Sequence, residues 1–271
     1  MSAGSVFIGQ KHSRGVQGQK TVARINFKNI DVTSASRNLL GKNHIPANTL
    51  SPLTLGPVAD KEGNVVLTFE AFWQHSKYWP TAAHLDGEGA PTQKWFEFRA
   101  KGFKLTKGKR RPLPLRQYGR PTGAVYNSQI YTGSDGYVQS RKDVYVPIYA
   151  NLIKDLPAIA ALKQMVKNGE SVMIVDGDGP PRDIYPDGME MTKENWQKML
   201  NDSRFPFGHG YVVAAVVAGL DLPELTAEAA AIHLNPFTLK RTRDSISDDD
   251  AEKEEEEEEK TRNLCKMIAK K

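Results

Sequence analysis

Glu70, Gln74 and Lys77 are the residues whose types and spacing most readily do chemistry. They stand at i, i+4 and i+7, so on a helix they share one polar stripe. Phe69, Phe72, Trp73 and Trp79 crowd the flanks of that stripe. The mixture suits a helix anchored in a core that holds a carboxylate, an amide and an ammonium toward a cleft. Desolvation raises the pKa of such a carboxylate and a neighbouring lysine lowers it. The balance decides whether it acts as base, charge stabiliser or acid. Trp73 and Trp79 are candidates for core packing first and base stacking second.

The elements that must position this stripe follow from the local pattern. Thr68 offers a hydroxyl to cap a helix starting there, and Pro80 follows its last aromatics. Upstream, residues 22–32 read as a strand, and residues 50–67 as two short strands around a Glu62-Gly63-Asn64 turn. Downstream, apolar spacings of three and four run from Val144 through Val166, with Gly169 closing the helical region after Asn168. Residues 171–175 form a short buried strand ending at Asp176. Residues 211–220 are an apolar helix or strand, and residues 226–234 an Ala-rich helix. The fold class expected is α/β or α+β: a small sheet with surrounding helices in one domain, residues 21–243. A mobile Gly-, Ser-, Gln- and Lys-rich arm, residues 1–20, precedes it, and a disordered acidic tail, residues 244–271, follows.

Charge is unevenly placed along the 271 residues. The net charge is +5, but the tail holds 11 acidic and 6 basic residues, leaving the body at +10. A basic body favours anionic ligands. Within an insertion at about 84–125, Lys109, Arg110, Arg111 and Arg116 stand near Phe103 and Tyr118, a density of cations and aromatics suited to phosphate or nucleic acid. The single cysteine, Cys265, excludes an internal disulfide, and six scattered histidines give no zinc-ligand spacing. The N-terminus lacks a basic-then-apolar signal pattern, and the apolar run from Val212 to Leu220 is far short of the ~20 residues a membrane helix needs. An intracellular protein, cytoplasmic or nuclear, with no membrane partner and no metal or other cofactor is expected.

The pattern Glu-x-aromatic-aromatic-Gln-x-x-Lys from Glu70 to Lys77 resembles the signature helix of the NADAR family of N-glycosidases, which act on ADP-ribose-type and riboflavin-pathway substrates. The approach through Ser51-Pro52, Gly56-Pro57-Val58 and residues 65–67 resembles that family's hairpin into the Glu helix. Residues 141–220 follow the order of its second half. There Asp176 matches the acid at a strand end, as Asp where Glu is usual, and Asp183 with Tyr185 matches a loop Asp. Pro186-Asp187 replaces the family's Trp-Gly. Gly208 matches the Gly of an Asn-x-x-Gly turn in which Phe205 replaces Asn. Asp178 and Asp187 are rival assignments for the loop acid.

The resemblance implies hydrolysis of the bond between ribose and a base or amine, through an oxocarbenium-like transition state. It gives Glu70 the role of charge stabiliser or base, with Asp183 or Asp176 positioning ribose or assisting the leaving group. Gln74, Lys77, Trp73, Tyr185, Gly208 and His209 are then candidates for substrate binding. The partner is an ADP-ribose-like small molecule or ADP-ribosylated nucleic acid, with ADP-ribosylated guanine as one substrate. Two other readings stand beside it: a non-catalytic reader of ADP-ribose or a modified nucleotide, and a nucleic-acid-binding protein using the basic insertion.

Overall fold

A computed structural model describes residues 3–11, 27–60, 63–106, 112–126 and 128–224. The acidic tail, the Ala-rich segment 226–234 and Lys109, Arg110 and Arg111 lie outside the described residues.

In chain order, β1 (Val6–Gln10) and β2 (Lys28–Asp31) are followed by two short hairpins, β3 (Leu39–Leu40) with β4 (Ile45–Pro46) and β5 (Val58–Ala59) with β6 (Val65–Val66). Then come α1 (Phe69–His75), β7 (Lys77–Tyr78), α2 (Gln93–Phe103), α3 (Leu113–Tyr118), β8 (Gly123–Tyr126) and β9 (Gln129–Thr132). A long helical region is built of α4 (Gly133–Ser140), a π-helical segment Arg141–Tyr145, α5 (Val146–Ile153) and α6 (Pro157–Lys167). The last elements are β10 (Val172–Asp176), β11 (Met189–Glu190), α7 (Lys193–Asn201) and α8 (His209–Ala218). The architecture is mixed α/β, as the residue patterns predict.

The main sheet has the order β11-β1-β10-β2, with β1, β10 and β2 mutually parallel and β11 antiparallel to β1. Every residue of β10 is buried, which explains why Val172-Met173-Ile174-Val175 is an unbroken apolar run rather than an alternating one. The expectation of a mobile arm over residues 1–20 is corrected in part: Val6–Gln10 is an inner strand, in register with Val172–Asp176. Its Val6-Phe7-Ile8 run is short and set among Gly, Ser and Lys, so the composition of the whole window masks it. Of the strand expected over residues 22–32, Lys28–Asp31 is a strand and residues 22–26 lie outside the described ones.

Helix α8 is buried on nearly all sides and packs on β1, β10, α5 and α6. A helix apolar all round belongs in a core, and that resolves the choice between helix and strand for residues 211–220. Helix α1 starts where expected, with the Thr68 hydroxyl accepting from the Ala71 N–H at 3.2 Å. It stops sooner than its aromatic run suggests. Ser76 donates its hydroxyl to the Phe72 carbonyl at 2.9 Å, and Lys77–Tyr78 then pairs with Gly123–Ala124 in a second sheet, β7-β8-β9. Much of residues 84–125 is regular structure rather than open loop. Trp95 and Phe103 of α2 are buried against the core, and Trp95 donates its Nε1 to the Lys77 carbonyl at 3.2 Å. None of the helices among the described residues is long and apolar enough to cross a membrane.

Candidate functional cleft

A cleft of ≈ 1350 Å³ opens beyond the carboxyl ends of the parallel strands. Thr33 and Ser34, just after β2, and Asp176, the last residue of β10, stand in its wall. Ligands of open α/β sheets bind at this end of the strands. The opposite walls come from α1, from the α3–β8 connection and from residues 203–209.

On α1 the polar stripe is continuous although the helix ends before Lys77. Gln74 donates its Nε2 to Glu70 Oε1 at 3.0 Å, and Lys77 donates its Nζ to Gln74 Oε1 at 2.7 Å. The two bonds fix the orientation of the Gln74 amide, since only its nitrogen donates to the carboxylate and only its oxygen accepts from the ammonium. Glu70 is 7% exposed, and its backbone N–H donates to the Pro52 carbonyl at 2.9 Å, seating the first turn of α1 on the loop after Ser51. Trp73 lies under the lysine, with Nζ 5.4 Å from its ring, and stacks on Tyr126 at 5.4 Å between centroids. Trp79 is buried and donates its indole N–H to the Gly119 carbonyl at 2.9 Å, which makes it a packing residue.

Burial lowers the Lys77 pKa to about 8, against the opposing pull of Glu70 and Asp178, which favour its charged form. Burial also pushes the Tyr126 and Tyr145 phenols well up, helped by nearby charges that include Glu70, so both line the cleft as neutral groups. The lysine has a consequence for stability. Its folded pKa is below the unfolded value of 10.5, so the unfolded chain binds more protons between about pH 8 and 10.5. The contribution is fully present above the unfolded pKa and is lost as pH falls through about 8. Stability of the wild type relative to Lys77→Met should therefore rise between pH 8 and pH 10.5, as read by denaturant melts at both values.

Of the acids weighed for the second site carboxylate, Asp176 and Asp178 line the cleft. Asp183 and Asp187 are exposed and stand outside its walls, as does Tyr185, which packs on the core beneath the Lys198 ammonium. The reason is a turn: the N–H groups of Ile184 and Tyr185 both return to the Pro181 carbonyl. Asp176 is engaged on both oxygens. Oδ1 accepts from the Gly177 N–H at 2.6 Å, and Oδ2 accepts from the Gly210 N–H at 2.8 Å and faces His209 Nδ1 at 3.2 Å. His209 Nε2 meets the Val32 carbonyl at 2.9 Å, so this ring ties the end of β2 to the end of β10 under the cleft floor.

Gly208 and Gly210 make this seat possible. A Cβ on Gly210 would lie 2.5 Å from Asp176 Cβ, and one on Gly208 would lie 2.3 Å from Asp176 Oδ2. Gly210→Ala should destabilise the fold by about 1–3 kcal/mol in a thermal melt. Gly87→Ala, where an added Cβ meets nothing within 4 Å, should be close to neutral.

Sequence reasoning missed Arg141. It is 1% exposed and donates from Nη1 to the carbonyls of Met199 (3.2 Å) and Asp202 (2.8 Å) and from Nη2 to that of Phe205 (2.8 Å). Its guanidinium sits 4.1 Å from the Tyr137 ring and 5.0 Å from that of Phe207. The cation thereby caps the carboxyl end of α7, where helix carbonyls carry partial negative charge. It welds residues 199–207 to the π-helical segment. Arg204 was missed as a site residue too, and it stands in the cleft wall with Arg116 and Arg120, all three exposed. Among the described residues no group of three or more His, Cys, Asp or Glu side chains could hold a metal ion.

Comparisons of this chain with protein-family models, with curated proteins and with solved structures find no match.

Proposed function

We propose that this protein is an N-glycosidase that hydrolyses the bond between ribose and a base or amine in an ADP-ribose-type substrate, including ADP-ribosylated guanine in nucleic acid. The observation that carries the reading is the buried Glu70 carboxylate in the cleft wall, held by Gln74 and, through it, by Lys77. The resemblance of this helix to the NADAR signature supports the same reading. Water adds to C1′ as the C1′–N bond breaks, and the leaving nitrogen takes up a proton. Positive charge develops on the ribose ring along the way, and a carboxylate fixed beside it in a site of low dielectric stabilises that charge or takes the water's proton.

Asp178, which lines the cleft, takes the part of second acid, and Asp176, bonded to the Gly177 and Gly210 N–H groups and facing His209, shapes the wall beside it. Gln74 orients Glu70, and the Lys77 ammonium fixes Gln74 in turn. Exposed Arg116 and Arg120 in the cleft wall favour a substrate carrying phosphates. A volume of ≈ 1350 Å³ exceeds the ~300–1,000 Å³ usual for small-ligand pockets, which favours a substrate larger than a single nucleoside.

The test is chromatographic detection of free base after incubation with ADP-ribosylated guanine in DNA and with free ADP-ribose-type nucleotides. Base release from either class supports the proposal. No release from any substrate, with tight binding of ADP-ribose, replaces it with the reader.

A further inference from the structure

The segment 202–205 is built as a platform at the cleft mouth. Arg204 is 72% exposed in its side chain, yet two of its nitrogens are fixed: Nε donates to Asp202 Oδ1 at 2.9 Å and Nη2 to Asp202 Oδ2 at 2.7 Å. A carboxylate engaged in this way lies in the guanidinium plane, so it occupies an edge and leaves both faces open. One face is backed by the Phe205 ring, 5.2 Å away. The residues on either side of Arg204 are themselves held, since buried Arg141 grips the Asp202 carbonyl and the Phe205 carbonyl. An exposed arginine ordinarily loses much side-chain freedom when a ligand orders it. Here the ordering is already in place before any ligand arrives.

The pairing with Asp202 also decides what this arginine recognises. Its charge is balanced by a carboxylate within hydrogen-bond distance, which makes it a poor grip for phosphate. Its planar face remains a good partner for an aromatic ring. We propose that Arg204 is a specificity-determining residue whose guanidinium face stacks on the base of a nucleotide ligand at the mouth of the cleft. The identity of the ligand as a nucleotide rests on the function proposed above, with the ribose that reacts lying deeper, at Glu70, and the stacked base belonging to the far end of the molecule.

The experiment is calorimetric binding of AMP and of ribose 5-phosphate, which share sugar and phosphate and differ in the base. The proteins are wild type, Arg204→Ala and Arg204→Lys. The wild type should prefer AMP by about tenfold, in the range of a single base-stacking contact. Arg204→Ala should erase the preference and leave ribose 5-phosphate unaffected. Arg204→Lys, which keeps the charge and loses the plane, should behave as Arg204→Ala.

Three results overturn the inference: no preference for AMP in the wild type, binding of neither compound, or equal weakening of both compounds by Arg204→Ala, the mark of a phosphate contact. Base release is read in a separate assay. A protein that prefers AMP through Arg204 and releases no base would refute the glycosidase and leave the platform standing.

Discussion

Glu70→Gln should lower base release by about 10²–10³-fold while the protein keeps its melting temperature and its affinity for ADP-ribose within a few-fold. The size follows from what the substitution removes. Glutamine is nearly isosteric and still accepts from Gln74 Nε2, so the Glu70–Gln74–Lys77 chain of hydrogen bonds survives. Only the negative charge is lost, and in a wall 7% exposed no water replaces it. A loss in kcat with little change in KM is the signature of an interaction made mainly in the transition state. Glu70→Gln turning over at the wild-type rate would remove this carboxylate from the chemistry. The comparison should be run at about pH 6, well below the wild-type Lys77 pKa of about 8, because Glu70 raises that pKa and its replacement by Gln lowers it further.

Arg141→Leu, a change behind the cleft wall, should be strongly destabilising, at about 3–5 kcal/mol, or a drop of roughly 10 °C in melting temperature. Leucine fills part of the space and supplies no donor. The carbonyls of Met199, Asp202 and Phe205 would then be left inside the protein without the cation that now satisfies them. Hydrogen exchange gives the finer reading: protection over residues 199–207 should fall further than protection in β10. A melt within 1 °C of wild type would show that water substitutes freely for the guanidinium and that the clamp has no energetic weight.

How much of this was legible in the sequence depends on how local the physics is. The Thr68 cap, the Glu70–Gln74 spacing and the β10 run are set by neighbours within one or two turns or one strand, and each lies where the residues predict. Lys77 was placed with the right partners for a partly wrong reason, because it reaches Gln74 from a strand and not from the helix. Arg141 left no trace. Its partners lie 58 to 64 residues away and are backbone carbonyls, which every residue has. The choice among Asp176, Asp178, Asp183 and Asp187 was undetermined for a similar reason. Four acids within twelve residues of Gly- and Pro-rich chain differ in function only by which way a turn faces. The Pro181 carbonyl, bonded to two successive N–H groups, decides that.

The central place of β1 bears on how the chain is made. Its neighbours in the sheet are residues 172–176 on one side and 189–190 on the other, so this strand has neither partner until some 165 further residues have been synthesised. The cleft floor at the ends of β2 and β10 is therefore among the last parts of the domain to be completed, since β2 too joins the sheet, among the described residues, through β10 alone. Until then Val6-Phe7-Ile8 is an unpaired apolar edge on a growing chain, the kind of segment that invites pairing with another molecule. An expression strategy that trims the first ten residues as a dispensable leader would remove an inner strand of the main sheet.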